Sequence, residues 1–155
     1  MRIDEVEIRL VRLPYRSPFR TSFGADVEKH ATIVTVRSEG VEGYGEGVFD
    51  PMPMYREETI AGAHHLLRDA LAPELLAGGC EHPGELTARW AQWRGNPMAK
   101  TALELAVWDC FARQQGVPLR SLLGGERTEI AVGASLGMNP VAETVAAVGW
   151  HVEQG

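Results

Sequence analysis

The first fifty residues alternate hydrophobic and polar positions, as half-buried β-strands do. Ile3 to Leu13 alternates apolar with charged residues, and Pro14 is expected to end that strand. Ala31 to Arg37 is rich in β-branched residues, which favour strands. After a turn at Ser38 to Gly40, the segment Tyr44 to Phe49 returns as a third strand. The pattern predicts an antiparallel meander of three strands.

Two segments interrupt this alternation and are predicted to be loops. Arg16 to Asp26 has no period and contains proline and glycine, and Asp50 to Tyr55 contains two prolines. Both segments nevertheless carry large apolar side chains, namely Phe19, Phe23, Met52, Met54 and Tyr55. Loops usually place polar side chains in water, so these residues indicate loops that close over a ligand or a neighbouring domain.

The middle of the chain changes to helical spacing. Glu57 to Leu71 carries apolar residues on one helical face and is expected to stop before Pro73. A short helix is predicted from Pro83 to Trp93. Asn96 is placed to cap a long helix that begins at Pro97 and runs to Gln115. Three strands followed by three helices predict an α+β domain.

The last part of the chain looks like the start of a second domain. Ile130 to Leu136 is predicted to be a strand and Val141 to Val152 a helix. We therefore expect one domain at residues 1–127 and an incomplete β/α unit at residues 128–155. A strand without neighbours exposes unpaired edges, so we expect such a polypeptide to aggregate or associate.

Composition and charge narrow the class of protein. The formal net charge of −6 argues against nucleic acid as a partner. No apolar run approaches the roughly 18 residues that cross a bilayer, and the acidic N-terminus does not resemble a signal peptide. These features predict a cytoplasmic protein with no membrane partner. Cys80 and Cys110 are too few and too far apart for a disulfide framework or a zinc site.

The residues offer few catalytic constellations. No dinucleotide-binding or phosphate-binding glycine motif is present. His64 and His65 are adjacent on a predicted helix, so their side chains diverge by about 100° and cannot serve as a metal pair from one face. Gly43, Gly45 and Gly47 alternate in the third strand. They either let a ligand approach the backbone or relieve crowding in a packed strand.

An ordered set of short motifs carries a family resemblance. Together the motifs span nearly the whole chain, and they are PFRTSFG at Pro18 to Gly24, PMYREETIAGA at Pro53 to Ala63, RGNPMAKTALELAVWD at Arg94 to Asp109, GVPLRSLLGG at Gly116 to Gly125 and VGASLGM at Val132 to Met138. In this order and spacing, the chain resembles the N-terminal part of the enolase superfamily, muconate lactonizing enzyme subgroup. Within that subgroup it is most similar to the N-acylamino acid (N-succinylamino acid) racemase / o-succinylbenzoate synthase family.

The resemblance implies an enolase-like N-terminal capping domain followed by the first β/α unit of a modified TIM barrel. It implies a racemase or dehydrating lyase that removes a proton α to a carboxylate through an enediolate. It also implies a divalent ion, Mg²⁺ or else Mn²⁺ or Co²⁺. The family's catalytic lysines and metal ligands lie on later barrel strands, so the resemblance places no catalytic residue and no metal ligand within these 155 residues.

By the same resemblance, the chain contributes to substrate specificity. The segments at residues 16–26 and 50–55 would close over the substrate side chain, and Ser135 would face the mouth of the active site. The implied substrate-binding residues are Phe19, Arg20, Thr21, Phe23, Met52, Tyr55 and Ser135. The implied partner is a small N-acyl amino acid or a related carboxylate, bound by a protein that is a homo-oligomer in its full-length form. The alternatives are a dipeptide epimerase or cycloisomerase of the same superfamily, or a stand-alone binding or oligomerisation module.

Overall fold

The structure, a computed structural model, describes residues 1–155. It contains three strands, β1 to β3, and six α-helices, α1 to α6. The strands are Glu5–Thr21, Gly24–Ser38 and Val41–Gly47. The helices are Ile60–Leu66, Ala72–Gly78, Leu86–Arg89, Pro97–Gln114, Leu119–Leu122 and Val141–Gln154. One turn of π-helix at Leu67–Leu71 joins α1 to α2, and 3₁₀ turns at Pro83–Glu85 and Trp90–Gln92 flank α3.

The chain forms two compact units. The first comprises Met1–Val11 and His30–Glu126, and the second comprises Arg12–Lys29 and Arg127–Gly155. No helix combines the length and apolar character that crossing a bilayer would require. The α+β architecture predicted from the pattern is confirmed in the first unit.

The strands form one antiparallel meander in the order β1-β2-β3. β2 pairs with β3 so that Val34 lies opposite Gly45, and a two-residue turn joins them. Both turn residues have positive φ, 51° at Glu39 and 79° at Gly40, as a type I′ hairpin turn requires. The Asp4 carboxylate accepts the N–H of Glu39 at 2.7 Å and holds that turn in place.

Helix α4 packs on one face of this meander. Ala99, Ala102, Ala106 and Cys110 lie along its buried side. A Cβ built on Gly43 would stand 2.3 Å from the carbonyl oxygen of Ala106. The alternating glycines therefore relieve crowding, because helix α4, not a ligand, lies against this face of the strand. The core includes Val34, Val36, Phe49, Leu67, Leu71, Leu75, Leu86, Trp90, Leu103 and Val107.

Three sequence predictions of local structure are wrong. Pro14 does not end β1, and the segment from Arg16 to Asp26 is not a loop, because β1 and β2 continue through it as a hairpin that turns at Ser22–Phe23. β1 is an edge strand, which pairs on one side only and therefore tolerates proline better than a central strand does. Pro73 does not interrupt the helix, because it lies in the first turn of α2, directly after the turn of π-helix.

The predicted strand at Ile130 to Leu136 is also wrong. Residues 129–136 have no regular secondary structure, because no other segment of residues 1–155 pairs with them in a ladder. Val132 is 89% exposed. The helix predicted at Val141 to Val152 is confirmed as α6.

Candidate functional site

The second unit contains a cavity of about 720 Å³. One wall is the β1 arm from Tyr15 to Arg20, and the other comprises Ser135, Leu136, Gly137, Asn139 and Glu143. The structure thus brings three of the sequence-predicted residues, Phe19, Arg20 and Ser135, to the lining of one cavity. A cavity of this size falls in the range of small-molecule sites.

The two walls are joined by backbone contacts. The N–H of Met138 donates to the carbonyl oxygen of Arg20 at 2.8 Å. A Cβ on Gly137 would lie 3.2 Å from the same oxygen, so a larger residue there would press on the β1 arm. On that arm, the ring centroids of Tyr15 and Phe19 lie 6.5 Å apart. The two residues are four positions apart along a strand whose side chains alternate between its faces. Both rings therefore belong to one face of the strand.

The lining is mixed in charge and polarity. Arg16 and Arg20 are cationic residues of the lining, and Glu143 is an anionic one. Ser17, Ser135 and Asn139 add hydrogen-bonding groups. A guanidinium binds a carboxylate through paired N–H donors, so this lining suits an anionic ligand with an apolar part.

The hairpin turn beside this cavity involves two more of the predicted residues. The hydroxyl oxygen of Thr21 accepts the N–H of Phe23 at 3.2 Å, which stabilises the turn. The Phe23 side chain is two-thirds exposed at the tip. Thr21 therefore shapes the turn that carries Phe23.

The Asp50–Tyr55 loop lies in the first unit. The carbonyl oxygen of Asp50 accepts the N–H of Ile60 at 3.0 Å, and Asp50 forms an isolated parallel bridge with Thr59. These contacts join the start of the loop to the residues that precede and begin α1. Met52 and Tyr55, both predicted from the sequence, are exposed at 64% and 74%, with Met54 at 75%. A cluster of apolar side chains on a pinned loop is suited to contact with an apolar group.

Several residues of these two regions were not predicted from the sequence, among them four with charged or amide side chains. Arg16, Asn139 and Glu143 line the cavity, and the buried Glu58 follows the Asp50–Tyr55 loop. The signal for Arg16 was present, since it is four residues before Arg20 and lies on the same side of a strand. No local pattern marks Glu58, because its partners are 40 and 41 residues away.

The residues at hand do not fit a metal site. No group of three or more His, Cys, Asp or Glu side chains lies close enough together to hold a metal ion. The thiols of Cys80 and Cys110 are buried, and burial raises the pKa of each. Both cysteines are unpaired.

Residues 3–124 match the family described as mandelate racemase / muconate lactonizing enzyme, N-terminal domain. The chain is 43% identical to an N-succinylamino acid racemase of Thermus thermophilus, over 100% of the chain and 42% of that protein. It is also 43% identical to an o-succinylbenzoate synthase of Geobacillus stearothermophilus, over 99% of the chain and 41% of that protein.

A solved structure extends the likeness to three dimensions. A member of the enolase superfamily from Listeria innocua matches with a TM-score of 0.92 and 35% identity, over 100% of this chain and 42% of the other. The chain spans about two fifths of the length of the curated relatives it matches.

Proposed function

This chain belongs to the mandelate racemase / muconate lactonizing enzyme family through its N-terminal domain, and we propose that it is the specificity-determining part of an N-succinylamino acid racemase or o-succinylbenzoate synthase. The 43% identity to one enzyme of each kind, over essentially the whole chain, carries this proposal. The enolase-like cap would end near residue 127, and residues 128–155 would begin the barrel.

The proposed reaction removes a proton from the carbon next to a carboxylate. The resulting enediolate is unstable and needs positive charge close to its oxygens. A divalent ion, Mg²⁺ or else Mn²⁺ or Co²⁺, would supply that charge when bound. Residues 1–155 hold no group of ligands for it, so we place its ligands outside these residues. We place the catalytic bases there too, because the family resemblance puts them on later barrel strands.

Within the chain, the proposed role is to bind and select the substrate. Arg20 and a second cationic residue, Arg16, line the cavity, and their charge complements a small carboxylate substrate. Ser135 would donate a hydrogen bond to the same ligand. Phe19, Phe23, Met52 and Tyr55 would supply apolar contacts that exclude water, and Thr21 would set the turn beneath Phe23.

Isotope exchange tests this proposal. The full-length protein that carries this chain is incubated in D₂O with Mg²⁺ and an N-succinyl amino acid, and loss of the Cα proton is followed by NMR. We expect exchange with the full-length protein and none with residues 1–155 alone. Exchange catalysed by residues 1–155 would refute the placement of the bases.

A panel of substrates separates the remaining candidates. Dipeptides test for an epimerase, muconates test for a cycloisomerase, and the precursor of o-succinylbenzoate tests for the synthase. A preference for N-succinyl amino acids or for the synthase reaction supports the proposal. A full-length protein that turns over none of these, yet binds carboxylates or self-associates, would be the stand-alone binding or oligomerisation module instead.

A further inference from the structure

Glu58 is a buried carboxylate in the first unit. The residue is 4% exposed, and it lies between the Asp50–Tyr55 loop and helix α1. Its Oε1 accepts the N–H of Met98 at 2.7 Å, and its Oε2 accepts the N–H of Ala99 at 2.9 Å. A buried charge is costly unless it is fully hydrogen-bonded, and here both oxygens are engaged by backbone donors.

Those two donors belong to the first turn of α4, whose N–H groups have no partner within the helix. Pro97 has no N–H, and Asn96 does not cap the helix in the expected way. Asn96 adopts a left-handed backbone with φ of 53°, and its side-chain amide donates to the carbonyl oxygen of Arg94 at 3.2 Å. The Glu58 carboxylate therefore takes the place of the N-cap, and its negative charge also suits the positive end of the helix dipole.

The same carboxylate ties the loop to a helix that packs on the sheet. Helix α4 packs directly on β3, where the strand glycines let the two backbones approach closely. The start of the loop is held by a second contact, in which the N–H of Ile60 donates to the carbonyl oxygen of Asp50. The exposed side chains of Met52 and Tyr55 thus stand on a base that is anchored through Glu58.

We propose that Glu58 is a positioning residue for substrate selection, which acts by anchoring the Asp50–Tyr55 loop to the N-terminus of α4. The anchored loop presents Met52 and Tyr55 in one arrangement to the apolar side chain of an N-acyl amino acid. This inference rests on the proposed function above and adds a residue that does not itself touch the substrate.

Glu58→Gln tests the inference in the full-length protein. The amide keeps the size of the side chain, but its NH₂ cannot accept a hydrogen bond from an N–H. Losing one hydrogen bond to a charged group should lower kcat/KM for N-succinylphenylalanine by about tenfold, mainly through KM. For N-succinylalanine, we expect less than about a twofold change in kcat/KM. Its side chain hardly reaches the loop, so a displaced loop costs this substrate no apolar contact.

Two control variants separate positioning from general destabilisation. Glu57→Gln makes the same chemical change at the neighbouring exposed residue and should leave both substrates unaffected. Val107→Ala removes buried volume from α4 without touching Glu58, so it should lower the melting temperature and leave the ratio between the two substrates unchanged. An equal loss on both substrates in Glu58→Gln would overturn the inference.

Hydrogen exchange provides a second readout that needs no activity. Glu58→Gln should speed amide exchange at Met98 and Ala99 and also at Met52, Met54 and Tyr55, whereas Glu57→Gln should not. Unchanged exchange in the loop would overturn the anchoring. A wild-type protein that acts neither on N-succinyl amino acids nor on the precursor of o-succinylbenzoate would refute the proposed function, while the exchange result would still decide whether Glu58 anchors the loop.

Discussion

The backbone of Gly45 in β3 lies directly against the carbonyl oxygen of Ala102 in α4. A Cβ at Gly45 would stand 2.0 Å from that oxygen. Non-bonded atoms never come this close, so a Cβ at Gly45 could fit only if the backbone of the strand or of the helix moved. The strand and the helix can approach this closely only because each presents a small residue to the other.

Gly45→Ala is therefore expected to separate α4 from the sheet. Neither backbone can step aside, so we expect a loss of about 3 kcal/mol of unfolding free energy, measured by urea denaturation. Gly149→Ala in α6 is the control, because a Cβ there meets nothing within 4 Å. It should be neutral or stabilising by up to about 1 kcal/mol. Equal stability of the two variants would contradict the close packing.

His64 should make the first unit sensitive to mild acid. Its Nε2 lies 2.9 Å from the hydroxyl of Thr32, and burial, followed by the charge of Arg68, lowers the pKa of His64 below the ordinary value of 6.5. The unfolded chain therefore takes up this proton at a higher pH than the folded one. Stability should be complete above pH 6.5 and fall as the pH drops below it.

Urea denaturation at pH 7.5 and at pH 5.5 measures this effect. His64→Gln should lose less stability between the two conditions than the wild type does. The exposed His151 on α6 provides the matched control, since His151→Gln should keep the wild-type difference. A His64→Gln variant with the full wild-type loss would show that another group causes it.

Arg37 organises the exposed face of the meander. Its guanidinium contacts Glu5 at 2.7 Å, Glu7 at 3.0 Å and Glu42 at 2.6 Å. Its hydrogen bond is the main cause that lowers the pKa of Glu7, with Arg9 adding to the effect. Arg37→Gln should raise the pKa of Glu7 more than Arg9→Gln does, as measured by NMR titration of the side-chain carboxyl.

The direction of the pH effect follows from that shift. A carboxyl with a lowered pKa contributes stability above its ordinary value of 4.5 and loses it as the pH falls. The free energy of unfolding of Arg37→Gln should therefore fall less with decreasing pH than that of the wild type. An unchanged pKa for Glu7 in Arg37→Gln would show that the ion pair is not maintained in solution.

Residues 1–155 are expected to self-associate as an isolated polypeptide. The second unit exposes apolar side chains, among them Ile130 at 73%, Val132 at 89% and Val141 at 80%. Exposed apolar surface of this kind favours association. Sedimentation velocity should show concentration-dependent species, and Val132→Lys should reduce them. A monomer at all concentrations would contradict this prediction.

Several features of the fold could be predicted from local sequence patterns. The core of the meander and the long helix α4 follow from hydrophobic periodicity and from Pro97 and Gly116, which mark the two ends of the helix. Phe19, Arg20 and Ser135 were identified through family resemblance, and the structure brings them to one cavity. Their binding roles stay predictions.

Where sequence reasoning was wrong, the deciding contact was not local. Proline and glycine made the segment from Arg16 to Asp26 look like a loop, but pairing between β1 and β2 extends the hairpin through it. The segment from Ile130 to Leu136 has strand composition but no partner within residues 1–155. A strand exists only when another strand completes its hydrogen bonds.

By itself, the sequence determined the order and type of most elements and the family to which the chain belongs, because periodicity, helix-end residues and ordered motifs are properties of neighbouring residues. Only the tertiary structure decided that helix α4 packs against Gly45 and that Glu58, not Asn96, caps α4. The physical reason is the same in both cases. A close approach or a buried hydrogen bond joins atoms that lie 40 or more residues apart, and no window of sequence contains both partners.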